Sequence, residues 1–567
     1  MNSGRRAFGE VVLLLALAAI LFLPGFPLRE LWTPDEPRYM EVAREMALTG
    51  DYLIPHLGGH AYAEKPPLFF WLTAALYKLG FGLNSGRVVV ALASAGTVLL
   101  TYFFARRVMP SPGPLLSGVV TLTTILFLLQ SKSGVIDPVV TFLAVAALIS
   151  GYRALQAETR LRTLWWVGFY GLVALGILTK GPAGLFVPVL VLAAYGVVNR
   201  RRVRSGVLSH VLGIVVLLGI TLAWLVPAAS VGGAAYRDRL IGQILSRAVD
   251  SESHRQAPYY FVARYPMDFQ PWVFVFPVAL AGAIWLWRSK RDEKAQFLVL
   301  WFGVVFLLFS AVSSKRPGYL MPLVPAVGLL VGQYFARGVR EGFPWPRLHR
   351  WAVGATFVLC AVAAVAAGAL VPAAPALAKS VLKLPGDQVE RLSAALSGPV
   401  LAANTAFAAA LLILSVWGLF CAVKGARPLR AMGVLFGFLV VVSAGYDFLF
   451  TPITNTFKSP LPFAEAAKPY LEQANSVYLL PNDMSGVYNL YTGLVRTPVL
   501  TEKADVLRAM NGAGKVALVV QDKAAEVIVG GDARQYPVVL RMRVGGRVMR
   551  LFVNWDVRSG RLVRPPR

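Results

Sequence analysis

Pro66–Gly82 reads PPLFFWLTAALYKLGFG, and the side on which every later loop lies depends on whether this stretch crosses a bilayer. It is apolar, yet it opens with two prolines, contains Lys78 and closes on Gly80 and Gly82. A crossing helix needs about 20 apolar residues. Runs of that kind fall near 8–27, 86–105, 114–130, 136–152, 163–179, 182–198, 207–229, 270–287, 295–312, 319–336, 351–371, 400–422 and 431–448, about thirteen spans. If Pro66–Gly82 does not cross, alternate loops carry Arg106 and Arg107; Arg153, Arg160 and Arg162; Arg200, Arg201, Arg202 and Arg204; Arg288, Lys290, Arg291 and Lys294; Arg337, Arg340, Arg347 and Arg350; and Lys424, Arg427 and Arg430. These clusters, with Arg5 and Arg6, then share one side, which the positive-inside rule makes cytoplasmic. If it crosses, every later cluster faces outward while the N-terminus stays in. The stretch is therefore expected to be an interfacial or re-entrant helix on the outer surface. The first span follows Arg5 and Arg6 and has no A-x-A-like site behind it, so it reads as a retained anchor.

Composition agrees with a membrane chain. Hydrophobic residues make up 56% and charged residues 15%, and the mean hydropathy is +0.60. Such a chain is too apolar for disorder, two cysteines cannot build a disulfide scaffold, and unbroken apolar runs do not suit a barrel of alternating strands. Cys360 and Cys421 both lie in apolar runs and read as buried thiols. Lys+Arg 56 against Asp+Glu 29 gives a net charge of +27. The excess sits in short clusters between apolar segments, so membrane orientation explains it better than nucleic acid does.

The outer side then receives 28–85, 131–135, 230–269, 313–318, 372–399 and everything after about 449. The last segment changes character: Ser476–Pro481, Val516–Gln521, Val538–Arg543 and Arg547–Asn554 alternate like strands, with Phe463–Gln473 and Ala504–Met510 helical. The expected architecture is a polytopic α-helical membrane domain over 1–450, with long outer loops 28–85 and 230–269, and an α/β domain outside the membrane over 451–567, which the resemblance named below makes periplasmic. No tandem repeat is evident, and the Ala-rich runs near 361–378 and 402–411 read as small-residue helix packing.

Most of the distinctive polar residues fall in the outer loops. Leu31–Arg44 reads LWTPDEPRYMEVAR, a Pro-rich entry to a helix with an acidic first turn. Thr33 or Asp35 would suit the N-cap, and Asp35 and Glu36 would complement the dipole; a carboxylate so near the membrane surface also tends to mark a site. Glu64 and Lys65 could be a solvated pair, but Pro66 and Pro67 would hold Lys65 at headgroup level, where a lipid phosphate sits. Asp137 before Pro138 suits an N-cap with Pro at N1 and equally a carboxylate at the outer mouth of a span. Lys180, in a tight Thr-Lys-Gly-Pro turn, could snorkel, yet cations are few on this side and each asks for an anionic partner. Ser313–Tyr319 adds Lys315 and Arg316, again suited to phosphate. His254, one of five histidines, is beside Arg255 in the long loop; with Glu64 it would supply two ligands of a zinc or other divalent site if the fold brought them together.

No P-loop, Rossmann fingerprint, HExxH or GxSxG in a strand–helix context is present. An enzyme working outside the membrane without nucleotide needs a substrate that is already activated, such as a lipid-linked donor. The Asp35–Glu36 pair after the first span, Glu64-Lys65-Pro66, Asp137-Pro138, Thr179-Lys180-Gly181 and the Lys315-to-Tyr319 loop together resemble the GT-C glycosyltransferases that use polyprenyl-phosphate sugars. In order they are most similar to bacterial lipid A aminoarabinose transferases and more distantly to protein O-mannosyltransferases. The resemblance implies a GT-C fold with about thirteen transmembrane helices, Asp35 as principal catalytic or orienting carboxylate and Asp137 as a second. It further implies donor-phosphate binding by Lys65, Arg255, Lys180 and Lys315, a donor pocket lined by Tyr39 and Tyr319, and a divalent metal, zinc, on Glu64 and His254. Pro37 and Pro67 depart from the aminoarabinose pattern, which leaves the sugar and acceptor open.

The implied reaction is inverting transfer of 4-amino-4-deoxy-L-arabinose from undecaprenyl phosphate to lipid A phosphate, by a chain acting as a monomer at the periplasmic face of the inner membrane. A related transferase acting on a protein or glycan hydroxyl is the alternative within the class. A lipid-linked sugar transporter is the alternative outside it, but inverted repeats and midplane polar residues are not evident. No nucleic-acid partner is expected.

Overall fold

The computed structural model describes every residue except 1–2, 158, 200–205, 250–254, 382–385, 397, 425–427, 481–486, 523–535 and 564–567. A helix lies over each of the thirteen apolar runs, beginning with Ser3–Phe22 and ending with Pro428–Gly445. Among the described residues, nine helices are long and apolar enough to cross a membrane, and a tenth crossing arises if Gly113–Thr123 and Ile125–Ser131, bent by 65°, count as one. The chain forms two compact units: Met1–Phe26, Glu64–Phe69 and Arg87–Leu449, and Pro27–Ala63, Phe70–Gly86 and Phe450–Arg567. The C-terminal boundary falls where the composition changes, whereas most of the first long loop belongs with the C-terminal residues.

In the first unit, depth follows sequence. The apolar window within Pro317–Glu341 is 94% buried, and that within Val207–Val231 only 17%. The former is a central helix; the latter is a rim helix whose Val211, Val215 and Leu218 stay exposed, as apolar side chains in contact with lipid should. The central helix is packed through glycine. A Cβ on Gly328 would lie 2.6 Å from the carbonyl oxygen of Ser117, and one on Gly332 would lie 2.7 Å from that of Gly113. Small residues four apart on both helices let the two backbones approach, which is how helices associate where no hydrophobic drive separates protein from lipid. Gly332→Leu is expected to abolish the folded chain or lower its thermal midpoint sharply, because the Gly113 carbonyl, which cannot turn aside, blocks the new Cβ along with the Ser117 hydroxyl. Unfolding followed in detergent by intrinsic fluorescence measures it, and an unchanged midpoint would refute the close contact.

The stretch 66–82 is not a continuous helix. Leu68–Leu76 has nine residues, about 14 Å at 1.5 Å per residue, against a hydrocarbon core of about 30 Å. Tyr77–Phe81 follows as a wide turn, and Gly80 and Gly82 take φ of 93° and 57°, which side-chain-bearing residues avoid. The long helix Ser85–Val108 begins only after them.

The C-terminal part of the second unit is an α/β sandwich. Strands Ser476–Leu479, Val516–Gln521, Arg547–Val553 and Val538–Val544 lie side by side in that order. The first two pair parallel and the remaining contacts are antiparallel. Gly545 and Gly546, with φ of 56° and 83°, make the tight hairpin turn between the last two strands in sequence. Phe463, Ala467 and Leu471 of the helix Leu461–Gln473 pack with Val519, Met549, Leu551 and Trp555. Val506 and Met510 of Lys503–Met510 pack with Leu518, Val520 and Phe552. Odd and even strand residues thus serve different faces, as a two-residue period requires.

Candidate active site

In the first unit three loops converge on one ion pair. Asp137 opens the helix Asp137–Gln156, but Ile136 is its N-cap and no side chain caps it, so the capping role open to Asp137 in sequence is not the one taken. Its carboxylate instead accepts a hydrogen bond from Nζ of Lys180, at the end of the helix Thr159–Lys180. The same ammonium lies 4.7 Å from the centre of the Tyr319 ring, a favourable cation–π distance. Gly318 completes the fit: a Cβ there would stand 3.1 Å from the Asp137 carboxyl carbon. The two charged side chains keep 16% and 24% of their surface, enough to meet a ligand while remaining fixed.

Lys315 and Arg255 meet on neighbouring strands of loop. Arg255 pairs with Ser314 as an antiparallel bridge, and the Gln256 N–H donates to the Ser313 carbonyl at 3.1 Å. Lys315 is only 3% exposed and donates to the carbonyls of Gln256, at 3.2 Å, and Val312. Its ammonium therefore fastens the two loops together, while the Arg255 side chain is exposed.

One feature of this unit escaped the sequence reading. Lys132 and Asp447, each 2% exposed, form a buried ion pair of 2.6 Å, and Lys132 also donates to Ser443 at 2.7 Å. A Cβ on Gly25 would collide with the Asp447 carboxylate, so the end of the first helix closes against it. The scarcity of cations on the loops assigned outside, which drew attention to Lys180, applies equally to Lys132.

In the second unit the two members of the Asp35–Glu36 pair separate in role. Glu36, 3% exposed, accepts from Arg29 at 2.9 Å and from the Trp32 N–H at 3.0 Å, and the Arg29 guanidinium sits 3.9 Å from the Trp32 ring centre. Asp35 is the first residue of Asp35–Thr49, half-buried, with Pro34 at the N-cap. The capping reading of Thr33 and Asp35 is thus corrected: no side chain caps this helix, and the Thr33 hydroxyl donates to the Lys458 carbonyl at 3.0 Å. Tyr39 is buried, its ring 6.0 Å from Phe70, which in turn meets Tyr62 at 6.1 Å, both edge-on. Glu45 accepts from the N–H groups of Gly58 and Gly59; burial pushes its carboxyl up while these donors pull it down.

Glu64 is exposed and Lys65 half-buried, just before the buried Pro67. His254 lies outside the described residues. Among the described residues no group of three or more His, Cys, Asp or Glu is arranged to hold a metal ion. Glu64 is thus the one member of the expected ligand pair that lies among the described residues.

Residues 64–225 match the family described as dolichyl-phosphate-mannose-protein mannosyltransferase. The chain is 30% identical over 331 residues to undecaprenyl phosphate-alpha-4-amino-4-deoxy-L-arabinose arabinosyl transferase 1 of Pseudomonas fluorescens, a match covering 58% of this chain and 59% of that protein. The corresponding transferase of Edwardsiella ictaluri is 30% identical over 332 residues, 58% of this chain and 59% of that protein. The chain thus spans less than two thirds of the length of these relatives. Among solved structures, ArnT from Cupriavidus metallidurans in the apo state superposes with a TM-score of 0.74 at 23% identity, covering 96% of this chain and 98% of that one. The same protein bound to undecaprenyl phosphate gives 0.69 at 22% identity, again with 96% and 98% covered. Over nearly its whole length, then, this chain has the fold of ArnT, the GT-C fold that the order of its outer motifs implied.

Proposed function

We propose that the protein is a glycosyltransferase of the inner membrane that moves 4-amino-4-deoxy-L-arabinose from undecaprenyl phosphate to a phosphate of lipid A at the periplasmic face. The observation that carries this reading is the Asp137–Lys180–Tyr319 cluster on the fold of ArnT, which has been solved with undecaprenyl phosphate bound. A partly exposed ammonium, steadied by a carboxylate and an aromatic face, suits the phosphate end of such a donor.

The chemistry follows from charge. The bond between the anomeric carbon and the phosphate oxygen breaks, its electrons pass to that oxygen, and the carbon becomes oxocarbenium-like. Lys180, Lys65 and Arg255 offset the growing negative charge of the leaving phosphate. Asp137 keeps Lys180 aimed, and Lys315 keeps the Arg255 loop in place. An acceptor oxygen bonds to the carbon from the opposite side as the phosphate leaves, inverting it in a single displacement. A lipid A phosphate is already an anion, so Asp35 orients the sugar or acceptor; a hydroxyl acceptor would instead pass its proton to Asp35.

Mass spectrometry of lipid A and envelope glycans from cells with and without the protein tests the reading. The expected result is an aminoarabinose mass increment on lipid A that disappears with the protein. A lost increment on protein or glycan instead, with lipid A unchanged, would transfer the assignment to a hydroxyl acceptor.

A further inference from the structure

The first long loop is held in place by side chains and carbonyls from the far end of the sequence, all within one compact unit. Asn455, in the helix Thr451–Lys458, is 9% exposed and uses both ends of its amide. Its Oδ1 accepts from the Trp32 indole N–H at 2.8 Å and from the Glu30 N–H at 3.3 Å. Its Nδ2 donates to the Leu28 carbonyl at 2.9 Å. Near the end of the same helix, the Lys458 carbonyl accepts from the Thr33 N–H at 3.1 Å and the Thr33 hydroxyl at 3.0 Å. The hairpin turn closes the clamp: the Gly545 N–H donates to the Phe457 carbonyl at 2.9 Å, and a Cβ at Gly545 would fall 2.1 Å from Thr33 Oγ1. Residues 28–33 are therefore fixed on both sides immediately before Pro34 and Asp35.

A segment of this kind has little secondary structure of its own, since Trp32 precedes the helix and Pro34 donates no hydrogen bond. What sets its path is the helix 451–458. An asparagine amide alone among side chains of its size both accepts and donates here. An aspartate would fit the space but would turn an oxygen toward the Leu28 carbonyl.

We propose that Asn455 is a positioning residue for Asp35, through which the C-terminal domain takes part in the transfer reaction rather than only capping the fold. The proposal rests on the reading of Asp35 as the carboxylate of the reacting centre. Small displacements of a reacting group cost about 10²-fold per ångström in rate, so the effect belongs in kcat.

The test compares Asn455→Asp, Asp35→Asn and the double variant of the full chain in reconstituted membranes, with purified undecaprenyl-phosphate aminoarabinose and lipid A. Asn455→Asp should lower kcat at least about tenfold, within that expectation, with the donor KM near the parent value and the chain, though less stable, still folded at the assay temperature. In the Asp35→Asn background it should lower kcat no further, because residues acting through one another are not additive. Trp32→Phe, which removes the indole donor but keeps a ring, should reproduce the direction if Asn455→Asp fails to fold. Asn455→Gln, which keeps the amide, should recover part of the loss. Losses that multiply independently, or a normal kcat for both Asn455→Asp and Trp32→Phe, would overturn the proposal. An Asp35→Asn protein with normal turnover would instead remove the reading beneath it.

Discussion

Asp35→Asn is expected to lower turnover of the polyprenyl-phosphate sugar by about 10²-fold where Asp35 orients sugar or acceptor, and by up to about 10⁴-fold where an acceptor hydroxyl passes its proton to it, while the donor KM changes little. The separation follows from where the charges are. Donor affinity is assigned to the cations Lys65, Lys180 and Arg255, whose own charges the substitution leaves in place. The fold should also survive, since Asp35 makes no capping hydrogen bond and the buried half of the Asp-Glu pair is Glu36. Glu36→Gln is the informative partner. It weakens a site that accepts from both Arg29 and Trp32, so its effect should fall first on stability. Measuring kcat, donor KM and thermal midpoint for the two variants separates the roles of the adjacent carboxylates. If Asp35→Asn turns over at the parent rate, Asp35 has no place at the reacting centre.

How much of this could be read from residues alone depends on the range of each signal. Hydropathy runs and Arg/Lys clusters are local, so a helix lies over every apolar run, and the short helix Leu68–Leu76 with its glycine breaks was readable from Pro66, Gly80 and Gly82. The four C-terminal strands were likewise legible from alternation. Pairing was not. Asp137 and Lys180 are 43 residues apart, and Lys132 and Asp447 are 315 apart; nothing in either neighbourhood names the other. Local preference even points the wrong way for Asp137, since an Asp before Pro suits an N-cap. A cap is worth about 1 kcal/mol, and a charge-assisted hydrogen bond to a nearby ammonium is stronger, so the distant partner wins. The same competition takes Thr33 from its cap to the Lys458 carbonyl. The placement of the first loop with the C-terminal residues is a tertiary fact of the same kind, carried by Asn455, Arg44 and the Gly545 turn.

Arg44 ties the helix Asp35–Thr49 to the C-terminal residues. It grips Glu41 with two hydrogen bonds of 2.8 and 3.0 Å and donates as well to the carbonyls of Asn489, at 3.3 Å, and Leu494. The paired side chains are 8% and 0% exposed. Burial pushes the Glu41 carboxyl upward and the guanidinium pulls against it; the two-pronged contact is the geometry of a carboxylate with arginine. Replacing Glu41 leaves the guanidinium buried without its counter-charge, a loss of about 3–5 kcal/mol, whereas replacing Arg44 lets the raised Glu41 carboxyl take up a proton and forfeits the four hydrogen bonds of the guanidinium. Glu41→Ala and Arg44→Ala should therefore each lower the thermal midpoint substantially and open residues 27–63 to protease. Arg44→Lys should recover little, because an ammonium cannot span the carboxylate and two carbonyls with a planar fork. Glu41→Leu with Arg44→Met should lose less than the sum of the single changes, since the double variant buries no charge. Strict additivity would mean that the pair contributes no coupling. Because Asp35 begins the helix that this pair fastens, the single variants should also lose turnover in proportion to the loosening, and the double variant should regain part of it.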